Sequence, residues 1–304
     1  MNDTGMNAAA VGMFDGVHCG HRDIMDTVRS CAARLGGRPV ILTFADHPLS
    51  LLRPADEPRL LCTPDEKKAL IQEYLPDARV VMLDFGTMRG VTAREFLMHL
   101  RDSLGVRAIV MGYDNRFGCD GPRDREAYND LARELGMEIH HVGRRHLDGT
   151  TASSSEVRRL LLAGDVAAAA SMLGRCYSVG GTVEHGRELG RTIGFPTANL
   201  KPDSGKLLPA AGVYAAVATV EGSGKWPAMV NIGHRPTVDR APDAPLTVEA
   251  HLIGAEEDLY GRRMTLAFVA RLRQEQRFDS VEQLARQLEA DRTLTLKTVG
   301  QCLK

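Results

Sequence analysis

The chain has 304 residues, of which 43% are hydrophobic and 5% aromatic, a composition typical of a protein that buries a core. Lysine and arginine number 38 against 39 aspartates and glutamates, so the net charge of -1 provides no field that would attract nucleic acid or an anionic membrane. Phosphate binding, if present, must therefore come from local groups. The length favours two domains, because one domain usually takes about 100–200 residues.

Targeting and membrane signals are missing from the sequence. The first residues contain neither a basic region nor a long apolar run, and no later stretch approaches the ~20 apolar residues that span a bilayer. We therefore expect a cytoplasmic protein. The 6 cysteines form no C-x-x-C pair and no metal-ligand cluster, so neither a disulfide framework nor a zinc site is expected.

Apolar runs alternate with helical patterns through the first half, which is typical of a parallel sheet with crossover helices. The predicted strands cover residues 8–13, 39–44, 78–83, 108–111 and 137–142. Helices are predicted at residues 21–36 and in the two segments CTPDEKKALIQEYL and TAREFLMHLRDSLG, which begin with capping-box sequences. The pattern predicts a Rossmann-like α/β domain with helices on both faces of the sheet.

The pattern changes near residue 175 to short strand-like runs separated by turn residues. These runs are YSVGGTVEH, GVYAAVATV, PAMVNIG, LTVEAHLI and MTLAFVARLR, and they predict an antiparallel β-barrel or sandwich. An amphipathic stretch capped by Ser280 predicts one closing helix. The helical segment at residues 154–174 joins the halves, and we place the domains at residues 1–172 and 173–304.

The segment FDGVHCGH, residues 14–21, follows the first predicted strand directly. A glycine-bearing turn there places backbone N–H groups and the positive end of a helix where a phosphate would bind. His18 and His21 flank Gly20 and can point the same way, while the glycine lets a nucleotide approach the backbone. The alternative is a helix-start turn with two solvated histidines.

A second segment, SSSEVR, places Ser153, Ser154 and Ser155 ahead of a helix that carries Arg158. Hydroxyl groups and an arginine at a helix start are suited to a polyphosphate, although serine runs are more often plain caps. This segment and FDGVHCGH lie at opposite ends of one predicted domain. They can converge on one nucleotide, as in enzymes that transfer the adenylyl group of ATP.

The segment GRELGRTIGFPTANL, residues 186–200, is the most specific in the chain. Its glycines can form a loop whose amides wrap phosphates, with Arg187 and Arg191 supplying charge. Thr197 and Asn199 offer oxygen ligands of the kind that Mg²⁺ accepts beside phosphate. A glycine-rich hairpin followed by a strand would explain the glycines, but not the arginines or the Thr and Asn.

Glu249 lies within the apolar run LTVEAHLI. Alternation predicts that Val248, Ala250 and Leu252 share one face, with Glu249 and His251 on the other. Glu249 can accept the proton of an attacking hydroxyl, and the alternative is a solvated face. The segment NIGHRPT, residues 231–237, is polar, and we predict that it forms a turn.

Taken together, the motifs resemble the bacterial bifunctional riboflavin kinase/FAD synthetase family over nearly the whole chain. They occur in the family's order: GMFDGVHCGH, TFADHP, RLLCTPDEK, GYDNRFG, SSSEVR, GDVAAAASMLGR, GRTIGFPTANL, GVYA, NIGHRPT, VEAHLI, DLYG and RLRQEQRF.

For the N-terminal half, the resemblance implies a nucleotidyltransferase that joins FMN to the AMP part of ATP, giving FAD and pyrophosphate. His18 and His21 would steady the α-phosphate as charge develops on it. FMN's phosphate is already ionised, so no strong base is needed. The implied nucleotide-binding residues are Gly12, Phe14, Asp15, Gly16, Gly20, Asp114, Ser153, Ser154 and Arg158.

For the C-terminal half, the resemblance implies a riboflavin kinase barrel. Glu249 would activate the ribityl hydroxyl for attack on the γ-phosphate of ATP, and Thr197 and Asn199 would hold Mg²⁺. The implied phosphate loop contains Gly186, Gly190, Arg191 and Gly194. The expected partners are the small molecules riboflavin, FMN and ATP, with no nucleic acid and no membrane. The oligomeric state is left open, a homo-oligomer included.

Departures from the family pattern all lie in the first half. Ala45 and Asp46 stand where a residue followed by proline is usual, Asn115 replaces an aromatic residue, and Ser155 replaces a threonine. These departures leave two alternatives: a kinase whose adenylyltransferase half is degenerate, or a flavin-binding regulator without catalysis. A tRNA-charging enzyme is set aside, because the chain has no basic face and no tRNA-reading domain.

Overall fold

The computed structural model describes residues 6–45, 59–121, 124–185, 194–234 and 246–300. The chain divides into two compact units, Met1–Ser154 and Ser155–Lys304. The boundary that we predict between the functional domains, after residue 172, lies 18 residues beyond this division and stays a prediction.

Five parallel strands of the described residues form the sheet of the first unit, in the order β3-β2-β1-β4-β5. Each matches a predicted strand to within two residues. The central strand β1 is made of small residues, and Ala8, Ala9 and Ala10 are fully buried between its two neighbours. The strands are β1 (Asn7–Val11), β2 (Pro39–Phe44), β3 (Arg79–Leu83), β4 (Val106–Met111) and β5 (Glu138–His141).

Helices cover both faces of this sheet, as predicted. On one face, α1 (Cys19–Leu35) and α2 (Pro64–Tyr74) pack against the alternate residues Ala8 and Ala10 of β1. On the other face, α4 (Ala93–Leu104) and α5 (Arg125–Glu134) pack against Ala9 and Val11. The short helix α3 (Phe85–Met88) precedes α4.

The starts of α2 and α4 are capping boxes, as their sequences predict. In each, the N-cap threonine accepts the N–H of the glutamate three residues later, whose carboxylate accepts the threonine N–H in return. The pairs are Thr63 with Glu66 and Thr92 with Glu95.

The helical segment predicted to join the halves is two helices, α6 (Ser154–Leu162) and α7 (Val166–Leu173). Gly164 has a φ of 80°, which ends the first helix, and Asp165 caps the second by accepting the N–H of Ala168 at 3.0 Å. A two-stranded hairpin, β6 (His146–Leu147) and β7 (Thr150–Thr151), precedes them and was not predicted.

The second unit contains a closed antiparallel barrel, formed by six of its described strands in the order β10-β11-β12-β9-β8-β13. The sequence had left a barrel and a sandwich open. The predicted turn at NIGHRPT is wrong for residues 231–234, because strand β11 continues through them. The strands are β8 (Tyr177–Glu184), β9 (Ala198–Pro202), β10 (Gly212–Val220), β11 (Gly224–His234), β12 (Leu246–Leu252) and β13 (Arg263–Arg273).

The closing helix α8 (Val281–Val299) packs on the outside of the barrel. Its last residue, Val299, is buried against Ala215 and Val217, which face outward from β10. Ser280 caps the helix as predicted, accepting the N–H of Gln283 at 3.3 Å. On β12, Val248, Ala250 and Leu252 are buried while Glu249 and His251 are half-buried, which is the predicted alternation.

Candidate active sites

The order of the parallel sheet creates a crevice at the carboxyl ends of β1 and β4. The chain runs from β1 through β2 to β3 on one side and then crosses to β4 on the other side of β1. Ligands of open α/β sheets bind at such a switch point. The predicted motif FDGVHCGH follows β1 immediately, so it lies at this position.

The turn between β1 and α1 is strained. Phe14, Gly16 and Val17 have φ angles of 48°, 80° and 43°, all in the left-handed region. This region costs a β-branched residue such as Val17 most, and such strain persists where the surrounding structure imposes it. The result is that His18 becomes the N-cap of α1, and its backbone carbonyl accepts the N–H groups of His21 and Arg22 at 2.8 and 3.1 Å.

The two histidines lie against each other at the start of α1. The rings of His18 and His21 stack with centroids 3.6 Å apart, and Phe14 meets the ring of His21 edge-on at 5.1 Å. His18 is 6% exposed. Gly20 makes room for this arrangement, because an added Cβ would lie 3.2 Å from Cε1 of His18.

Asp15 holds a distant segment against this turn. Its carboxylate is buried and accepts the backbone N–H groups of Leu61 and Cys62 at 3.1 Å. The N–H of Gly16 in turn lies 3.1 Å from Sγ of Cys62. Within the chain, the carboxylate oxygens of Asp15 bind backbone amides just ahead of α2, and the nucleotide contact of this residue stays a prediction.

Ser154, within the segment SSSEVR, contacts the β1–α1 turn, and the convergence of the two motifs on one nucleotide stays a prediction. Oγ of Ser154 donates to the backbone carbonyl of Asp15 at 2.8 Å, across 139 positions of sequence. Ser153 immediately precedes α6, and Arg158 lies in the body of that helix. Gly12 follows β1, where an added Cβ would lie 3.3 Å from the ring of Phe14.

A cleft of about 580 Å³ lies after β4 and contains Asp114 and Asn115. The side chain of Asn115 donates to the carbonyl of Val11, the last residue of β1, so this departure from the family pattern ties the ends of β1 and β4 together. Burial raises the pKa of Tyr113, and Asp114 acts in the same direction. Arg144 lies 4.4 Å above the Tyr113 ring.

His141 also lines this cleft, at the end of β5. Burial is the main cause that lowers the pKa of His141, and Arg125 adds to the effect, so the imidazole is neutral at pH 7. Its Nε2 lies 3.0 Å from Oδ1 of Asn129 and donates to it.

In the second unit, three polar residues form a row across the outside of the barrel. Glu249 of β12 is paired in register with Asn199 of β9 on one side and with Asn231 of β11 on the other. Register partners in a sheet point to the same face and lie about one strand spacing apart, roughly 4.8 Å. The predicted Glu249 and Asn199 are therefore neighbours.

Two members of this row, Glu249 and Asn231, line a cavity of about 500 Å³ between the barrel wall and the start of α8. Polar and apolar residues both line the cavity, and the start of α8 contributes apolar side chains. The polar residues are Thr197, Asn231, Glu249, His251, Arg273, Glu275 and Gln276, and the apolar ones are Phe195, Val213, Met229, Phe278, Val281, Leu284 and Leu288. Thr197 also borders a second cavity of about 490 Å³, which extends to the loop at residues 255–260.

His251 fixes the backbone just ahead of Thr197. Its Nδ1 donates to the carbonyl of Pro196 at 2.8 Å, and its ring meets that of Phe195 edge-on at 5.3 Å. Burial lowers the pKa of His251, so the imidazole remains neutral at pH 7 and keeps Nε2 as an acceptor in the cavity.

Part of the predicted phosphate loop lies outside the described residues. This applies to Gly186, Gly190 and Arg191, and also to Asp46. Gly194 is described, is exposed and has a φ of 82°.

The residues predicted to hold Mg²⁺ have a suitable donor set. Thr197 and Asn199 flank a buried strand position, and Asn199 pairs with Glu249, so hydroxyl, amide and carboxylate oxygens come from adjacent strands. These are the hard oxygen donors that Mg²⁺ takes beside phosphate and water. Within the described ranges, no cluster of three histidine, cysteine, aspartate or glutamate side chains is arranged to hold a metal ion.

Several residues of the second site were missed by the sequence reasoning. Arg273 binds the buried carboxylate of Asp291 through Nη2 at 2.8 Å, and Gln287 donates to the same carboxylate at 2.9 Å. Glu275 accepts from Nδ2 of Asn231 at 3.3 Å. The motif RLRQEQRF contains Arg273 and Glu275 and could have identified them.

Comparison with known proteins gives a consistent result for both halves. A family model described as FAD synthetase matches residues 2–156, and one described as riboflavin kinase matches residues 173–299. The chain is 36% identical over 285 residues to the bifunctional riboflavin kinase/FMN adenylyltransferase of Pseudomonas fluorescens, covering 93% of this chain and 90% of the relative. Proteins of the same description from Bacillus subtilis and Escherichia coli K12 are 32% and 33% identical to this chain. The matches cover 93% and 92% of this chain, respectively, and 89% of each relative.

A solved structure from Streptococcus pneumoniae, described as a macrolide-efflux protein, has a TM-score of 0.83 and 29% identity. The match covers 96% of this chain and 94% of that one. Among the helices of the described residues, none is long and apolar enough to cross a membrane.

Proposed function

Since the chain belongs to the bifunctional riboflavin kinase/FMN adenylyltransferase family, we propose that its two units carry out the family's two reactions with separate sets of residues. The enzyme phosphorylates riboflavin to FMN with ATP, then joins FMN to the AMP part of another ATP, forming FAD and releasing pyrophosphate. One observation carries the division of labour: paired histidines lie at a helix start in one unit, and a glutamate faces a cavity in the other.

For adenylyl transfer, we assign His18 and His21 to the α-phosphate. The stacked rings stand at the positive end of α1, where a phosphate that gains charge in the transition state is stabilised. Attack by the ionised phosphate of FMN needs no base, so positioning and charge stabilisation are the whole task. The hydrogen bond from Ser154 to Asp15 supports a second contact to the same nucleotide from Ser153, and the contact of Arg158 stays a prediction from the sequence.

For phosphoryl transfer, we assign Glu249 as the general base. In the part of the chain that the structure describes, no hydrogen bond or ion pair engages its carboxylate, so both oxygens can accept from a substrate hydroxyl. Thr197 and Asn199 would hold Mg²⁺, which neutralises charge on the phosphates when it is bound. Gly194 would contact the phosphates, together with the predicted residues Gly186, Gly190 and Arg191.

The two cavities that meet at Thr197 suit the two substrates of the kinase. We assign the cavity of Glu249 to riboflavin, because its apolar wall on α8 fits a flat, largely apolar ring system. The second cavity then receives ATP, and the γ-phosphate would reach the riboflavin hydroxyl near Thr197. Both substrates approach from the outer wall and the rim of the barrel.

The functional domain boundary after residue 172 is retained as a proposal, since the two family models leave residues 157–172 unmatched. The cytoplasmic location, the lack of nucleic-acid and membrane partners, and the oligomeric state stay predictions from the sequence.

A two-step flavin assay tests the function. The purified protein is incubated with riboflavin, ATP and Mg²⁺, and the flavins are separated by chromatography. FMN should form first and FAD after it. Folded protein that makes neither product would refute the function, whereas FMN without FAD would support a kinase with a degenerate first unit.

Single substitutions test the residue assignments. His21→Ala should abolish FAD formation from FMN and leave FMN formation intact, because it removes one of the two groups at the α-phosphate. Glu249→Gln should abolish FMN formation and leave FAD formation intact when FMN is supplied. Equal loss of both reactions in either variant would contradict the separation of the sites.

A further inference from the structure

The kinase cavity contains a second carboxylate besides Glu249. Glu275 follows β13 and lines the same cavity, and its Oε1 accepts a hydrogen bond from Nδ2 of Asn231 at 3.3 Å. Asn231 is also the register partner of Glu249. The asparagine therefore stands between the two glutamates, and the three residues form one polar edge of the cavity.

Strand β11 leaves space for Glu275. Gly233 lies two residues after Asn231 and so shares its face of the strand. A Cβ added at Gly233 would overlap the Glu275 carboxylate, so any larger residue there would displace it. The glycine and the asparagine together fix where the carboxylate lies.

Glu275 is not part of the ion pair beside it. Arg273, two residues earlier, is bound by the buried carboxylate of Asp291. For Glu275 itself, Asn231 is the partner found among the described residues. A carboxylate offers about four acceptor positions, so this one hydrogen bond leaves acceptor capacity on a residue that lines the cavity.

Riboflavin has donors that match this capacity. Its ring carries a ribityl chain in which one hydroxyl is phosphorylated and the others are not. With the reacting hydroxyl at Glu249, the rest of the chain has to lie along the cavity, and Asn231 is one strand spacing away, about 4.8 Å.

We propose that Glu275 and Asn231 bind the unreactive hydroxyls of the ribityl chain and so select flavins that carry a polyol. This proposal rests on the assignment of the Glu249 cavity to riboflavin. Hydroxyls donate to the Glu275 carboxylate, and the carboxamide of Asn231 keeps that carboxylate in place. Both residues position the substrate, and neither takes part in the transfer of the phosphoryl group.

The test compares riboflavin with lumiflavin, which has the same ring system and a methyl group in place of the ribityl chain. Binding of each is followed by quenching of flavin fluorescence. Glu275→Ala should weaken riboflavin binding about 10–100-fold, the value of a hydrogen bond to a charged group, and leave lumiflavin binding unchanged. Glu275→Gln preserves the size of the side chain and should give a smaller loss with the same selectivity.

Glu221→Ala is the charge-matched control, since Glu221 is an exposed residue of the turn after β10. It should bind both flavins like the wild type. Equal weakening of riboflavin and lumiflavin in Glu275→Gln would overturn the proposal, and so would unchanged binding of both. A fall in kcat without a fall in riboflavin affinity would also overturn it, because it would indicate a role in catalysis. Formation of FMN by the wild type tests the kinase function separately.

Discussion

The replacement of Gly20 by alanine separates the stability of α1 from the catalytic role that we propose for its first turn. Gly20 is the second residue of the helix and makes room for the ring of His18. Alanine is the best helix former and glycine among the poorest. The change therefore acts in opposite directions on folding and on the histidine pair.

The geometry gives the size of each effect. Alanine contributes up to about 1 kcal/mol of helix propensity over glycine in a helix interior, and less in the first turn. The added Cβ would lie 3.2 Å from Cε1 and 3.3 Å from Nδ1 of His18, and 3.4 Å from the carbonyl of Ala152. Unstrained carbon contacts are about 3.5–4.0 Å, so the ring must shift by a few tenths of an ångström. Because a shift of about 1 Å at a reacting centre can cost 10²-fold in rate, we expect FAD formation to fall roughly 5–20-fold.

The assay measures kcat for FAD formation from FMN and for FMN formation from riboflavin, together with thermal unfolding. Gly20→Ala should unfold at or above the temperature of the wild type, lose FAD formation and retain FMN formation. Gly90→Ala is the matched control, because an added Cβ there meets nothing within 4 Å. FAD formation by Gly20→Ala within twofold of the wild type would refute the view that the position of the His18 ring limits the reaction.

Three further substitutions or conditions give distinct outcomes. Asp15→Ala removes the acceptor of two buried N–H groups, and each unsatisfied group costs about 1–3 kcal/mol of stability. This variant should have a lower urea midpoint in the first unit and slower FAD formation, with FMN formation unchanged. Asp291→Ala leaves the guanidinium of Arg273 unpaired and should destabilise the barrel by about 3–5 kcal/mol in urea unfolding; a loss below 1 kcal/mol would show that the pair is dispensable. The pKa of His251 is lowered in the folded protein, so this histidine binds a proton more readily in the unfolded chain. The contribution of neutral His251 to the free energy of unfolding is therefore present above about pH 6.5 and is lost as the pH falls below it. The urea midpoint of the wild type should therefore drop more between pH 8 and pH 5.5 than that of His251→Gln, and equal drops would contradict the assignment.

Much of the α/β unit is determined by local sequence. Capping boxes and small-residue strands are short-range signals, and both the predicted starts of α2 and α4 and the five parallel strands are confirmed. The bond from Ser154 to the carbonyl of Asp15 also brings together two residues of the motifs that the sequence predicts to bind phosphate, and their shared nucleotide stays a prediction. In such segments the residues that decide the structure lie within one turn or one strand of each other.

The parts that escaped prediction depend on partners far apart in sequence. The carboxylate of Asp15 binds amides 46 and 47 residues away, and nothing in FDGVHCGH indicates this. Asn115 was seen as the loss of an aromatic residue, whereas its amide bonds to Val11 at the end of a neighbouring strand. The barrel's strand order and the cavity under α8 follow from closure of the whole sheet, which no local pattern contains.

The alternation of β12 has a consequence for how this enzyme can change. Val248 and Ala250 face the packed interior, while Glu249 and His251, their immediate neighbours, face the cavity on the outer wall that we assign to riboflavin. Successive positions of one strand are therefore subject to different selection, one set for volume and the next for chemistry. A library that varies only the outward positions of β11 and β12 would explore new flavin analogues while leaving the residues that hold the barrel closed untouched.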